Sequence, residues 1–210
     1  MAWVLEQRDW SVRRWQKVMW SDESTFSQFS QGRSFRVWRT PEEEFNTSCL
    51  NATVKQSPSR MFWGCFLWNG LGPLVPVRES MTGKTYVEVL RKHAIPSLRR
   101  LVPNNKGIFQ EDNAPPHRAR IAADFRESAG ISVLPWPAQS PDLNLIENLW
   151  NEVDRQVCNL RNQPKNLQDL ERKVKIAWRS ISLDYIRKLI ESMPRRIEAC
   201  IEAQGGATKY

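Results

Sequence analysis

The chain has 210 residues, enough for one ordinary domain with a small appendage, and its 40% hydrophobic and 26% charged residues exclude wholesale disorder. Thirty-one Lys and Arg against 23 Asp and Glu leave a net charge of +8, which favours a polyanionic partner such as nucleic acid over an acidic small molecule. No apolar run is long enough to span a membrane and the N-terminus lacks a basic leader with an apolar stretch behind it; Cys49, Cys65, Cys158 and Cys200 form no C-x-x-C pair, so zinc modules and disulfide frameworks are disfavoured and a reducing compartment, cytosol or nucleus, is expected.

In chain order, residues 1–15 read as a helix or the remnant of one, with Trp3, Trp10 and Trp15 in an otherwise charged segment. KVMWSDESTF alternates and predicts a strand in which Val18, Trp20 and Asp22 share one face and Met19, Ser21 and Glu23 the other. Only one of the two adjacent acids can then point at a given site, and Glu23 is assigned no role. SFRVWRT and SRMFWGCFLW predict further strands, separated by a polar loop from Pro41 to Pro58, and GPLVPV another. The period turns helical in TGKTYVEVLRKHAIPSLRRL, where Tyr86, Val89, Leu90 and His93 lie near one face until Pro96 interrupts it.

The order then becomes regular: KGIFQED a strand, HRARIAADFRESAG a helix ending at Gly130, ISVLPW a strand and LIENLWNEVDRQV a helix. That succession implies parallel strands joined by right-handed crossovers. The C-terminal third reads as helices, with Asp169, Asp184 and Pro194 as start signals. The ten tryptophans mostly sit beside Val, Phe or Leu and are assigned to the core rather than to base stacking.

Ligands of an α/β sheet bind where strands end. Asp22 lies near the end of the first strand, Asp112 at the end of KGIFQED, and Glu147 in the first turn of the helix after ISVLPW. If those strands are neighbours the three carboxylates converge, and in one cleft they repel one another unless a hard dication neutralises them. Each has a structural alternative. Glu147 fits a capping box with Asn144 as N-cap, Asp112 could shape the turn into NAPPH with Pro116 setting the next helix, and Asp22 could face solvent. His117 is either a ligand or a structural group, and Arg118 and Arg120 are solvated charges by default. Spacing alone leaves these alternatives open.

Three stretches together resemble the catalytic domain of the mariner and Sleeping Beauty-like superfamily of cut-and-paste DNA transposases: WSDESTF with Asp22, FQEDNAPPHRAR with Asp112, and WPAQSPDLNLIENLW with Glu147. Thirty-four residues separate Asp112 from Glu147, the interval of the branch whose third acid is glutamate. FRVWR and MFWGCF add weaker support, and the similarity covers roughly Trp15 to Val157.

The resemblance implies an RNase H-like α/β fold: a mixed five-stranded sheet, three strands antiparallel and two parallel, flanked by helices and followed by a helical C-terminal tail. It implies a catalytic domain over residues 16–160, with 161–210 as its helical extension and 1–15 as a remnant of linker or helix. Asp22, Asp112 and Glu147 become the catalytic, metal-binding triad for two Mg²⁺ ions, which Mn²⁺ can replace. Asn113, His117, Arg118 and Arg120 become supporting or DNA-contacting residues. The implied partners are transposon-end and target DNA, the target typically at TA, with a homo-oligomer on DNA, and the implied location is the nucleus. Two departures stand out: Leu145 replaces the proline usual after PDLN, and the N-terminal pair of helix-turn-helix modules is missing, so a fragment or a degenerate copy is expected. A catalytically silent remnant that binds DNA or a partner nonspecifically, and a nuclease related only by fold, are the competing readings.

Overall fold

The alternation of one strand organises the molecule. The computed structural model describes residues 1–28, 57–102, 106–137, 140–206 and 208; the strand expected at SFRVWRT lies outside them. β1 (Val18–Ser27), β2 (Ser59–Leu67) and β3 (Gly70–Val77) form an antiparallel meander, and β4 (Ile108–Phe109) and β5 (Ser132–Val133) add to the far side of β1 in parallel. The order is β3-β2-β1-β4-β5. This is the expected mixed sheet.

Helices cover both faces. On the face of Val18, Trp20 and Phe26 lie α1 (Ala2–Glu6), α2 (Val12–Trp15), α7 (Ile146–Cys158), α8 (Leu167–Ser180), α9 (Leu183–Glu191) and α10 (Met193–Glu202). On the face of Met19, Trp63 and Cys65 lie α3 (Gly83–Val89), α4 (Ile95–Leu101) and α6 (Arg120–Ser128), with the single turn α5 (Pro115–Arg118) leading into α6. Each side chain falls where the period of two along β1 sends it. Trp15, Trp20, Trp63 and Trp150 are fully buried, so the tryptophans build the core as expected.

Local chemistry sets the ends of the elements. Gly130, at φ +64°, closes α6 in the left-handed conformation, and the Ile131 N–H reaches back to the Arg126 carbonyl at 3.1 Å. Asn166 and Ser182 cap α8 and α9 through the N–H groups of Asp169 (2.8 Å) and Tyr185 (3.1 Å). Pro194 sits in the first turn of α10.

Two expectations are corrected. Pro96 does not end its helix: a wider π turn at Leu90–Ala94 joins α3 to α4 and places Pro96 in the first turn of α4, where a missing N–H is tolerated. β4 and β5 are shorter than KGIFQED and ISVLPW. The Ser21 N–H turns to the Gln110 side chain (3.2 Å) and the Ser21 hydroxyl to the Gln110 carbonyl (2.8 Å), replacing ladder bonds, while Pro135 has no N–H with which to extend β5.

Gly64 stands directly opposite Asp22 on β2. A Cβ there would lie 2.5 Å from the indole of Trp150 and 3.2 Å from Leu74, so glycine lets α7 settle onto the sheet. Gly64→Ala is expected to destabilise the chain by about 1–3 kcal/mol through overpacking, because Trp150 is enclosed. The check is the midpoint of denaturant unfolding at unchanged m-value; a midpoint equal to the parent's would show that Trp150 can retreat.

Candidate active site

The parallel register brings the acids level. Val18 pairs with Ile108 and Met19 with Phe109. Continued past the end of β4, the same register sets Asp22 beside Asp112. β5 then leads through Trp136 and the PDLN turn to α7, whose second residue is Glu147. Asp22, Asp112 and Glu147 thus line one cleft of about 360 Å³, together with Asn113, Trp136 and Asn144.

Their environments differ. The Asp22 carboxyl hydrogen-bonds with that of Glu147, and burial, then the charges of Glu23 and Glu147, push its pKa up to about 8. One proton is therefore held on Asp22 at neutral pH. Asp112 goes the other way. Its Oδ1 accepts from His117 Nδ1 at 2.6 Å and from the Ala114 N–H at 2.9 Å, and these bonds, the His117 one foremost, hold it below the usual carboxylate range.

His117 is buried behind the cleft rather than in it, with Nε2 3.3 Å from Glu23 Oε1. Burial alone would lower its pKa, but the bonds to Asp112 and Glu23 outweigh it and raise the value to about 10. The ring is an imidazolium with both N–H groups engaged. The Tyr86 ring packs against it with centroids 4.1 Å apart, and the Tyr86 hydroxyl donates to Glu111. Arg126 completes this buried chain, 3.0 Å from Glu111 and donating at 3.0 Å to the His117 carbonyl.

Around the cleft, Asn113 Nδ2 donates to the Trp136 carbonyl at 2.8 Å and ties the loops after β4 and β5 together. Glu147 does not form the capping box. The N-cap of α7 is Leu145, with no side-chain cap bond, and Asn144 Oδ1 is buried without a hydrogen-bond partner among the described residues. Leu145, the residue that departs from the resembled pattern, is wholly buried in the core. Arg196 of α10 is buried and donates to the Asp142 carbonyl and, at 2.8 Å, to Asn148 Oδ1, fixing the turn that carries Glu147.

Asp22, Asp112, Glu147 and Asn113 are brought together, with His117 directly behind them. Arg118 and Arg120 are exposed and outside the cleft; Arg120 faces Asp124 at 3.8 Å. Among the described residues no three His, Cys, Asp or Glu side chains close on one point, and Asp112 is bonded within its own loop. Sequence reasoning missed Glu23, Tyr86, Glu111, Arg126, Asn144 and Arg196. Only Glu23 and Glu111 carried a signal: each adjoins a candidate acid, and alternation turns it toward the opposite face.

Residues 17–171 match the family described as DDE superfamily endonuclease. Over its full length the chain is 35% identical to the transposable element Tc1 transposase of Caenorhabditis elegans and 34% to the Tcb1 transposase of Caenorhabditis briggsae, covering 76% of each. Among solved structures it superposes on Mos1 transposase in a paired-end complex with the left transposon end, with a TM-score of 0.78 at 18% identity, covering 99% of this chain and 62% of that one. The isolated catalytic domain of Mos1 mariner transposase superposes with a TM-score of 0.69 at 16% identity, covering 98% of this chain and 90% of that one. The fold is thus the RNase H-like α/β fold of that domain. With a family match over most of its length and relatives above 30% identity, the chain belongs to the DDE superfamily endonucleases, as a catalytic domain of the Tc1/mariner transposase type.

Proposed function

We propose that this domain cuts a DNA phosphodiester at the end of a mobile element and transfers the liberated 3′-hydroxyl to a target strand, typically at TA, with Asp22, Asp112 and Glu147 as the divalent-metal ligands. The observation that carries the reading is that carboxylates from three separate segments line one cleft past the ends of the parallel strands. The donor set fits a hard cation. It offers carboxylate oxygens and the unpartnered Asn144 Oδ1, while the imidazole nitrogens of His117 are already engaged. The rise of Asp22 to about 8 reflects a site short of positive charge.

Two Mg²⁺ ions, or Mn²⁺ in their place, would supply there the charge that lets three carboxylates share a site and the polarisation an in-line displacement at phosphorus requires. The chain's own residues do the rest. His117 and the Ala114 N–H hold Asp112 by the same oxygen, Oδ1, in the lining of the cleft. Glu147 is held by the α7 turn that Arg196 clamps. In the ion-free chain the raised Asp22 carboxyl holds a proton at neutral pH, which relieves the repulsion that a cation would otherwise offset. Mos1 structures include paired-end and strand-transfer complexes and crystals with Mg and with Mn, which supports DNA as partner, a homo-oligomer on DNA and divalent ions here, and work on DNA fits a nuclear location.

Asp112→Asn and Glu147→Ala are each expected to reduce Mg²⁺-dependent nicking and joining of a labelled, pre-cut end duplex at least about 10²-fold, equivalent to roughly 2.7 kcal/mol of transition-state stabilisation, with DNA retention nearly intact. Nicking at the parent's rate by either variant would remove these residues from the site.

Stability reports on the same site without chemistry. The folded-state pKa of Asp22, about 8, lies above its ordinary 3.8, so its stabilising contribution is present below pH ~4 and lost as pH rises through about 8. In metal-free buffer Asp22→Asn is expected to match the parent's Tm near pH 4 and to exceed it near pH 9 by about 2–4 °C for each kcal/mol relieved. Adding Mg²⁺ or Mn²⁺ should raise the parent's Tm and leave the variant's nearly unchanged; equal ion responses would contradict Asp22 as a ligand.

A further inference from the structure

A second concave surface lies at the opposite end of the parallel strands. It is a groove of about 510 Å³ whose lining includes Arg13, Arg14, Lys17, Lys106 and Ser132, and no carboxylate. The cations are held on fixed elements. Trp15 of α2 is buried and stacks on Trp20 with centroids 6.0 Å apart, which anchors the turn that bears Arg13 and Arg14. The Arg14 guanidinium lies 4.0 Å over the Trp10 ring. The Lys17 carbonyl accepts the Ile108 N–H at 3.0 Å, which ties Lys17 to the start of β4, two residues after Lys106.

None of these four cations is ion-paired among the described residues, whereas other cations pair closely, as Arg60 with Glu171 at 2.9 Å and Lys188 with Asp184 at 2.8 Å. Four like charges around one hollow repel one another, and a polyanion relieves that repulsion. A guanidinium stacked on an indole keeps its N–H edge available for phosphate oxygens.

We infer that this groove binds a stretch of DNA backbone distinct from the one in the catalytic cleft. The inference rests on the DNA-processing reading above. Lys17 precedes Asp22 by five residues of extended chain, roughly 17 Å at the rise of a strand, so one phosphate cannot occupy both places. The groove contacts phosphates and therefore holds DNA without reading its sequence.

The test uses the whole chain and a nonspecific linear duplex, with affinity followed by anisotropy across a salt series. The variant R13Q/K17Q/K106Q keeps Arg14 on Trp10 and changes only side chains at the surface. It is expected to flatten the slope of log affinity against log salt by about 2–3, at ~0.9 for each phosphate no longer neutralised, while nicking of a short pre-cut end at saturating DNA stays at the parent's rate. K17R/K106R should keep the parent's slope, which would show that charge and not shape is read. A triple variant with the parent's slope overturns the inference. So does competition by inorganic tripolyphosphate for the groove with no effect on duplex binding, which would make it a small-anion site. Loss of nicking at saturation would merge the groove with the catalytic site and overturn its independence. A flat salt response in a parent that still nicks would overturn the groove alone, and a parent that neither nicks nor binds would remove the DNA-processing reading as well.

Discussion

The seating of α7 on the sheet, through Trp150 against Gly64, is the contact on which the site depends. Gly64 faces Asp22 across the β1–β2 ladder, and the indole occupies the volume a side chain would take. Trp150 lies three residues after Glu147, on the neighbouring face of the same helix. Placing that ring therefore places the glutamate. The ring in turn packs edge-on against Phe26 and tilts against Trp178 of α8, so the C-terminal helices fix α7 from behind. Arg196 adds a polar clamp at the start of α7, between α10 and the PDLN turn. The helical tail is thus part of the support of the cleft.

Electrostatics divides the acids into two sets. Asp22 and Glu147 hydrogen-bond to each other, and burial, with the like charges of Glu23 and Glu147, raises the Asp22 carboxyl. Asp112 and Glu23 are bridged by His117, whose bond holds Asp112 below the usual carboxylate range. The strand period is what separates adjacent Asp22 and Glu23 into these environments. Behind His117, Tyr86 and Arg126 both engage Glu111, and Arg126 also donates to the His117 carbonyl. Asp22 and Glu147 thus meet as two carboxyls, whereas Asp112 and Glu23 meet through a histidine.

Much of this was legible in the sequence where the governing interaction is local. Alternation in KVMWSDESTF fixed the faces of β1, turn chemistry ended α6 at Gly130, and the strand–helix succession indicated the parallel half of the sheet. The grouping of Asp22, Asp112 and Glu147 followed from strand ends once the strands were neighbours. What was not legible depends on distant partners. Tyr86, Arg126 and Arg196 act through residues 25, 15 and 48 or more positions away, as in Tyr86 with Glu111, Arg126 with Glu111 and Arg196 with Asn148. No spacing rule connects them. The capping box failed for a related reason: Leu145 was drawn wholly into the core, and burial outweighed a single side-chain cap.

The parallel half of the sheet also gives the molecule two chemically opposite ends. Acids gather past the ends of β1 and β4, and cations with no ion pair among the described residues gather before their starts. A phosphate chain approaching the acidic end alone would be repelled until cations arrive there. Cations placed a strand's length away can hold the backbone without neutralising the acids, since a charge that far off in solvent is screened by about a Debye length. Under the proposed function, affinity and chemistry then reside on different residues, the cations holding the polyanion and the carboxylates left to bind metal.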